Sequence, residues 1–391
     1  WCTTAKTSPF TAVSGDGFFV DTSSGAVTVT LPASPNAGDI VSIADYTNTF
    51  CTHNVTIGRN GSKIGGECAD ATLSTRGQSV TLVYVDGTEG WKNVQDSTSN
   101  VTGNPGFLVA TGGTESTCGN FKIHTFTSSG NFQVTNIFGS GVGAKVSYMV
   151  VAGGGGGTGA GGGAGGFREG KQACGGYTAS PLAATPCSGL PVSVQTYPIT
   201  VGGGGAGANP AYIGTGKANG GNSIFSTITS TGGGAGGSSP NPSPGGDGAD
   251  GGSGGGAGNT PSGTAAAGSG NTPPVSPPQG NNGGTSSPGP GNAVGMAGGG
   301  GASAVGTNGT QGPTTAGNAG SGGAGVATSI TGSPVTRAGG GGGGAQGTSP
   351  NANLNNGGAG GGGYGSVGGI SPSGGAGTAN TGGGGGGAVG N

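Results

Sequence analysis

Five aspartates early in the chain are the side chains best suited to carry chemistry. Asp16, Asp21, Asp39, Asp45 and Asp70 lie in or beside turns between predicted strands. Two such carboxylates could hydrolyse a glycosidic bond, one as general acid and the other as base or nucleophile. Their spacing shows no pairing, however, and turns recruit aspartate to hydrogen-bond the backbone. We therefore expect solvated turn residues and no catalytic pair.

The other reactive groups are isolated as well. His53 and His124 are the two histidines, and His124 falls in the middle of a predicted strand. Residues 148–153 read as a strand entering a nucleotide-binding glycine turn, but such a site needs a helix next and more glycine follows. The sequence thus predicts no enzyme activity, no cofactor and no metal site.

The cysteines are even in number and form no CxxC motif, so zinc ligation is not expected. The spacing favours two local disulfides, one between residues 51 and 68 and one between 174 and 187. The other two cysteines could bridge the two β regions or two subunits, and free buried thiols are the alternative. Disulfides would indicate an oxidising, extracellular setting. The candidate disulfide cysteines are Cys2, Cys51, Cys68, Cys118, Cys174 and Cys187.

Charge and hydropathy limit the partners. Charged residues make up 6% of the 391 residues and the net charge is −2, so no basic stripe is present to bind nucleic acid. The longest apolar run, residues 146–152, is far shorter than the ~20 residues that cross a bilayer, so no membrane insertion is expected. No signal peptide is visible. The sequence opens at Trp1 and stops within a glycine-rich stretch, and we expect that both ends have been cut.

The elements that must position these groups are strands. Val27, Val29 and Leu31 alternate with threonines, the period of a half-buried strand. Similar runs predict an antiparallel, β-sandwich-like domain over residues 1–98, followed by a linker over 99–106. Strand-like runs interrupted by glycine tracts predict a second β domain over 107–230. No helical periodicity occurs, so the predicted class is all-β.

Glycine dominates what remains. The chain has 106 glycines, most of them after residue 150, in tracts such as 339–344 and 382–387. The tracts and a proline-rich stretch at 273–278 break the strict Gly-X-Y period of collagen. Extended glycine strands can instead take the polyproline II helix, with three residues per turn, and bond backbone to backbone with their neighbours. For residues 231–391 we predict a polyglycine-II-type bundle, with disorder as the alternative.

A few large side chains within or near the glycine regions could recognise a surface, because aromatic residues and arginine dominate binding hot spots. They could equally pin the edges of the bundle. These candidates are Phe167, Arg168, Tyr177, Tyr212, Arg337 and Tyr364. Four asparagines match the N-glycosylation sequon, a match that also arises by chance in an Asn- and Thr-rich chain. They are Asn54, Asn60, Asn100 and Asn308.

The first domain contains a distinctive series of motifs, at residues 1–7 (WCTTAKT), 10–13 (FTAV), 15–20 (GDGFFV), 27–32 (VTVTLP), 37–39 (AGD) and 56–61 (TIGRNG). This series resembles a β domain of tail-fibre proteins of marine and freshwater bacteriophages, cyanophages especially. The glycine-rich domain that follows in that family is similar to residues 121–127 (FKIHTFT), 150–153 (VVAG) and 224–228 (IFSTI). These matches cover about residues 1–235, and the tail matches in composition alone.

The resemblance implies a trimeric, non-enzymatic fibre whose distal end recognises a polysaccharide or protein on a microbial surface. The expected location is extracellular or on a virion. The cysteines depart from the family pattern, and extra disulfides would suit a fibre that exists free of a virion. The alternative is therefore the protomer of a self-assembling helical filament, with Cys2 near the joint. Ice binding is a weaker alternative, because the tracts are too irregular to present a repeated threonine face.

Overall fold

The computed structural model describes residues 1–97, 108–119, 121–137, 144–172, 176–184, 188–207, 217–238, 246–259, 265–287, 294–312, 317–346, 356–368 and 373–389. These residues form strands, turns and extended segments and contain no helix, so none is long and apolar enough to cross a membrane. The predicted all-β class is confirmed.

The strands are short, and most of those in the first 230 residues coincide with the predicted runs. They are β1 (Cys2–Lys6), β2 (Phe10–Thr11), β3 (Gly17–Val20), β4 (Val27–Thr30), β5 (Ile40–Asp45), β6 (Val55–Gly58), β7 (Ala71–Leu73), β8 (Ser79–Asp86), β9 (Gly90–Asp96), β10 (Leu108–Thr111), β11 (Thr114–Cys118), β12 (Phe121–Thr125), β13 (Gly130–Ile137), β14 (Lys145–Val146), β15 (Tyr148–Val151), β16 (Phe167–Gly170), β17 (Ala183–Ala184), β18 (Leu190–Pro191), β19 (Thr196–Thr200), β20 (Ser223–Phe225), β21 (Ile228–Ser230), β22 (Val326–Thr328) and β23 (Val335–Arg337).

The chain divides into two compact units. Unit 1 comprises Trp1–Val109 with Asn136–Val142, and unit 2 comprises Ala110–Thr135 with Gly143–Asn391. Unit 1 contains two sheets, in the strand orders β1-β3-β5-β8-β9 and β2-β4-β6-β7. The remaining sheets of the described residues, one of five strands in the order β10-β13-β19-β20-β21 and four of two or three strands, lie mostly in unit 2 together with the glycine tracts.

The sheets of unit 1 correct one expectation, because they are not purely antiparallel. The pairs β1–β3, β3–β5, β2–β4 and β4–β6 are parallel, whereas β5–β8, β8–β9 and β6–β7 are antiparallel. The first six strands alternate between the two sheets. Consecutive strands of one sheet are therefore separated by a strand of the other, and this crossover returns the chain in the same direction.

The core of unit 1 joins the inner faces of both sheets. In β4 and in β6, buried and half-buried residues alternate, as the period of two predicted. Val29 and Ile57 from one sheet, and Val41 and Ile43 from the other, are fully buried in one apolar cluster with Trp91. Burying side chains of this size contributes about 1.5–3 kcal/mol each. This core is independent of the glycine tracts.

The aspartates of unit 1 organise turns, as expected. Asp45 accepts hydrogen bonds from the backbone N–H groups of Thr49, Phe50 and Gly77. Asp70 accepts one from the N–H of Arg59. These carboxylates thus satisfy backbone donors that the strand ladders leave unpaired.

Asp21 gives unit 1 an acid-sensitive contact. Hydrogen bonds from Ser23 and Thr47 hold the pKa of its carboxyl below the ordinary 3.8. Because the folded-state pKa is the lower one, the carboxylate stabilises unit 1 above about pH 3.8, and this is lost as the pH falls through the folded-state value. We expect Asp21→Asn to reduce the acid dependence of the unfolding midpoint slightly, measured by circular dichroism between pH 2 and 6 (roughly the range in which carboxylates titrate). Asp16→Asn is the control, since the Asp16 side chain makes no hydrogen bond within the described residues; an equal effect of both substitutions would contradict the assignment.

Unit 2 contains several small apolar clusters among the described residues. Tyr148, Val150 and Leu190 form one cluster, and Phe167 and Val326 belong to another that includes alanines of the glycine tracts. The antiparallel pair β22–β23 lies in the tail, where we predicted no strands. Most of unit 2 must therefore be held by something other than apolar packing.

Candidate functional site

Backbone hydrogen bonds between glycine tracts hold unit 2 together. In residues 160–165, successive N–H groups donate in turn to three different neighbours, the segments 234–237, 297–300 and 382–385, and the cycle then repeats. The bonds are Ala160→Gly237 (2.9 Å), Gly161→Ala297 (3.1 Å), Gly162→Gly385 (2.8 Å), Gly163→Gly234 (2.8 Å), Ala164→Gly300 (2.9 Å) and Gly165→Gly382 (2.9 Å). The partner therefore changes with a period of three residues.

A second tract repeats this arrangement. Residues 340–345 donate in turn to segments 320–323, 159–162 and 363–366. Along the tract, partner numbers descend in the first two segments and ascend in the third. Neighbouring strands therefore run both parallel and antiparallel, and each central strand is surrounded by backbone on several sides.

The interior of this bundle has no room for side chains at most glycines. A Cβ on Gly161 would lie 2.0 Å from the Gly341 oxygen, and one on Gly299 would lie 2.1 Å from the Gly162 oxygen. Ala160 and Ala164 are fully buried in the same tract. Ala160 packs in one apolar cluster with Met296, and Ala164 packs in another with Phe167. The tract thus distinguishes positions that need glycine from positions that accept alanine.

Asparagine and aspartate side chains replace the missing backbone partner at some outer strands. The Oδ1 atoms of Asn219 and Asn222 accept from the N–H groups of Ala235 and Gly232, both at 2.9 Å. The Oδ1 atoms of Asp247 and Asp250 accept from Ala266 and Ser269 in the same way, at 2.7 and 2.6 Å. Both pairs are spaced by three residues, the period of the bundle.

The outer strand at residues 202–207 carries no asparagine or aspartate side chain of this kind. Gly203, Gly204 and Gly207 are exposed, whereas exposed positions of other outer strands carry residues such as Thr307 and Asn308. A Cβ on Gly203 would meet nothing within 4 Å, and one on Gly204 would meet only the Gly154 oxygen at 3.8 Å. Glycine at these two positions has no steric cause within the described part of the chain.

Gln279 is a fully buried amide that ties three segments together. Its Oε1 accepts from the Thr231 N–H at 2.8 Å, and its Nε2 donates to the Pro273 oxygen at 3.1 Å. Its backbone oxygen accepts from the Phe167 N–H at 2.8 Å. Sequence reasoning missed this residue, because a lone glutamine in a proline- and glycine-rich stretch looks like a solvated loop residue.

Glu169, on β16, is a buried carboxylate that sequence reasoning also missed. Its two oxygens accept from the Ser180 N–H at 2.9 Å and from the Thr328 hydroxyl at 2.6 Å. Burial, together with the charge of Glu169, raises the pKa of the neighbouring Tyr177 hydroxyl. This cluster joins β16 to β22 across 159 residues of sequence.

Removing the Glu169 carboxylate is expected to destabilise unit 2. Glu169→Ala would leave the buried Ser180 N–H unpaired and the Thr328 hydroxyl with only the more distant Thr178 oxygen, at 3.5 Å, and each buried group that loses its partner costs about 1–3 kcal/mol. We expect a free energy of unfolding lower by about 2 kcal/mol or more, measured by denaturant titration. Glu115→Ala is the control, because the Glu115–Lys122 ion pair is largely exposed and such pairs contribute about 0–1 kcal/mol. Equal effects from the two substitutions would contradict the role given to Glu169.

The residues predicted to recognise a surface differ in their exposure to solvent. The Phe167 side chain is 1% exposed, because its ring packs against Ala164, Ala302 and Val326. It is therefore too buried to contact an external surface. Arg168, Tyr177 and Arg337 are half-buried, and burial lowers the pKa of Arg337. Tyr364 is exposed, and Tyr212 lies outside the described residues.

A cluster of aromatic rings lies instead on unit 1, where no recognition surface was predicted. Trp1 and Tyr46 are 62% and 56% exposed, and Phe19 lies between them. The ring centroids are 5.1 Å apart for Trp1–Phe19 and 6.2 Å apart for Phe19–Tyr46. The Trp1 indole lies against Gly17, where a Cβ would be 2.4 Å from it. We call Trp1, Phe19 and Tyr46 the aromatic row.

The cysteine predictions are corrected in part. Cys51 is exposed and carries a free thiol, so the expected pair with Cys68 is not formed. Cys2 and Cys118 are also free thiols, so they do not bridge the two β regions within the chain. Cys68 is itself disulfide-bonded, so its sulfur is not available to Cys51. Cys174 and Cys187 lie outside the described residues.

The sequon asparagines fall on the surface where they are described. Asn54, Asn60 and Asn308 are exposed, and Asn100 lies outside the described residues. The Asn60 amide donates to the Leu31 oxygen at 2.9 Å, and Asn308 Oδ1 accepts from the Thr285 N–H. Both side chains therefore have structural roles that do not require a glycan.

No protein-family model matches the chain, and no curated protein is significantly similar to it.

Proposed function

We propose that this chain is an extracellular, non-enzymatic fibre subunit of the phage tail-fibre or adhesin type, which recognises a microbial surface as a homo-oligomer. The observation that carries this proposal is the three-residue cycle of hydrogen-bond partners in the glycine tracts. That period is the one expected of polyglycine II strands, which have three residues per turn. The two sheets of unit 1, which share one core, support a sandwich in the first domain.

Such a bundle suits a structural element that must resist mechanical force. Its strands are held by backbone hydrogen bonds to several neighbours, so stiffness does not depend on side-chain packing. Ordering so many glycines costs conformational entropy, and the backbone hydrogen bonds between the tracts must offset this cost. The motif resemblance to tail-fibre proteins points to the same function.

The aromatic row supports surface recognition in place of the residues predicted from the sequence. Aromatic side chains supply large contact area and dominate binding hot spots. We expect Trp1→Ala with Tyr46→Ala to reduce binding of the intact protein to its microbial target by about tenfold or more, measured by co-sedimentation with cells. Val85→Ala with Val94→Ala, also exposed on unit 1, is the control. Undiminished binding of the aromatic variant would remove the row from this function.

A filament protomer is the second candidate, and the outer strand at residues 202–207, with its exposed glycines, favours it. Exposed glycines without an intrachain cause would be explained if another copy of the chain packed against them. A contact of this kind need not close on itself and then yields a helical filament.

Electron microscopy of the native particle separates the two. A closed trimer of limited length supports the tail-fibre proposal. An open helical lattice overturns it in favour of the filament. A protein that stays monomeric at all concentrations overturns both.

A further inference from the structure

A small polar cavity lies at the open end of the β11–β12 hairpin in unit 2. It has a volume of about 230 Å³. Thr114 and Thr125 face each other across the strand pair at its edge, and the turn from β12 into β13 completes it. The lining residues are Gly113, Thr114, Thr125, Phe126, Thr127, Ser128, Ser129, Gly130 and Asn131.

The half-buried Phe126 ring lies close to two glycines that leave room for it. A Cβ on Gly113 would lie 3.1 Å from the ring, and one on Gly112 would lie 3.4 Å from it and 2.0 Å from the Asn131 oxygen. Both glycines have positive φ, +66° and +112°, so the turn that admits the ring is specific to glycine. The Phe126 ring therefore gives the cavity one apolar surface among polar groups.

The hydroxyl groups around this ring are mostly without partners. Ser129 Oγ accepts from the Val201 N–H at 3.0 Å. The side chains of Thr114, Thr125, Thr127 and Ser128, all within the described residues, make no hydrogen bond to the rest of the chain that the structure describes. Each hydroxyl can donate one hydrogen bond and accept others, so the cavity presents several free donors and acceptors.

The uncharged lining of the cavity limits the class of ligand that it can bind. None of its lining residues is charged. The nearest carboxylate along β11, Glu115, is paired with Lys122 at 2.9 Å, and that hydrogen bond lowers the pKa of Glu115. An anionic ligand would find no cation here that is not already paired with a carboxylate, and so a neutral, hydroxyl-rich ligand fits best.

We infer that this cavity binds one neutral pyranose unit of a surface polysaccharide. The Phe126 ring would pack against the C–H face of the sugar while the threonine and serine hydroxyls bond its hydroxyl groups. The volume corresponds to about seven water molecules at ~30 Å³ each, which is enough space for one sugar ring. This inference rests on the proposed recognition function and names its ligand class.

Binding at one cavity is expected to be weak and to gain from repetition. A small site with few contacts has little affinity to offer, but copies displayed along one fibre raise the avidity by about 10²–10⁴. The cavity would thus act in an oligomer and not in a single subunit.

Saturation-transfer difference NMR on the intact chain tests the inference with methyl α-glucoside, methyl α-mannoside and methyl β-galactoside as probes. We expect signal from at least one of them, and weaker signal from glucuronate. Thr125→Val with Thr127→Val should reduce the affinity about tenfold or more, because a site built to bond hydroxyl groups discriminates strongly. Thr117→Val, on β11 away from the cavity, is the matched control and should bind as the parent does.

Three results would overturn the inference: no signal from any neutral probe, unchanged affinity in the double variant, or equal loss in the Thr117→Val control. If the double variant does not fold, Phe126→Leu serves as the second variant, and unchanged binding by it would have the same force. Co-sedimentation with cells tests the proposed recognition function separately from the cavity. Cell binding without probe binding removes this cavity alone, whereas probe binding without cell binding removes the recognition function.

Discussion

Gly162→Ala is expected to unfold the glycine bundle, and Gly203→Ala to leave it intact. A methyl group on Gly162 would lie 2.2 Å from the Gly155 oxygen, well inside any contact distance, and backbone surrounds it. Overpacking ordinarily costs about 1–3 kcal/mol, and we expect at least the upper figure here because no flexible side chain can give way. The same substitution at Gly203 meets open space.

The paired measurement is denaturant unfolding of the isolated chain, followed by circular dichroism and by protease resistance of unit 2. Gly203→Ala should be neutral or more stable by up to about 1 kcal/mol, because alanine restricts the unfolded chain. Equal behaviour of the two variants would contradict the packing described for the bundle. Loss of stability in Gly203→Ala but not in Gly162→Ala would contradict the open space described at Gly203.

Gln279→Leu is expected to be the most damaging substitution of a polar side chain. Leucine would leave the Thr231 N–H without its acceptor beside a fully buried side chain, and it would also remove the donor to the backbone oxygen of Pro273, which is an exposed residue. At about 1–3 kcal/mol for each unpaired group, with the lower figure for the Pro273 oxygen, we expect a loss of about 3 kcal/mol. Gln133→Leu, on the exposed side of β13, is the control and should change stability by about 0.5 kcal/mol or less.

Gln279→Glu separates loss of packing from loss of hydrogen bonding. Glutamate keeps an acceptor for the Thr231 N–H but, when ionised, has no donor for the Pro273 oxygen. A carboxyl buried there would have a raised pKa, so its penalty should be small at low pH and grow as the pH rises past about 4.3, the ordinary value for glutamate. A penalty independent of pH would contradict the hydrogen-bond assignment.

The sequence predicted strands better than their pairing. The alternation at Val27 and Val29 identified β4 and its buried face correctly. The same period says nothing about which strand lies beside it, and the parallel pairs β2–β4 and β4–β6 were missed for that reason. The alternation of residues along a strand predicts which of its side chains are buried, whereas the crossover between sheets depends on contacts distant in sequence.

The candidate sites were predictable only in part. Nearly identical glycine tracts give no local signal for choosing partners, so the neighbours of residues 160–165 could not be foreseen. Phe167 and Glu169 resemble exposed residues in a glycine-rich context, yet both are buried by segments more than 100 residues away. The spacing of Asn219–Asn222 and of Asp247–Asp250 was a visible signal of the three-residue period.

The rotating choice of hydrogen-bond partner also constrains how such a chain can change length during evolution. Deleting one residue from the tract 160–165 would turn every later N–H by about 120°, away from its acceptor and toward the wrong neighbour. Deleting or inserting three residues would return each group to the same neighbour, one step along. Length variation within the buried tracts of related chains should therefore occur in units of three residues, or nine nucleotides of coding sequence.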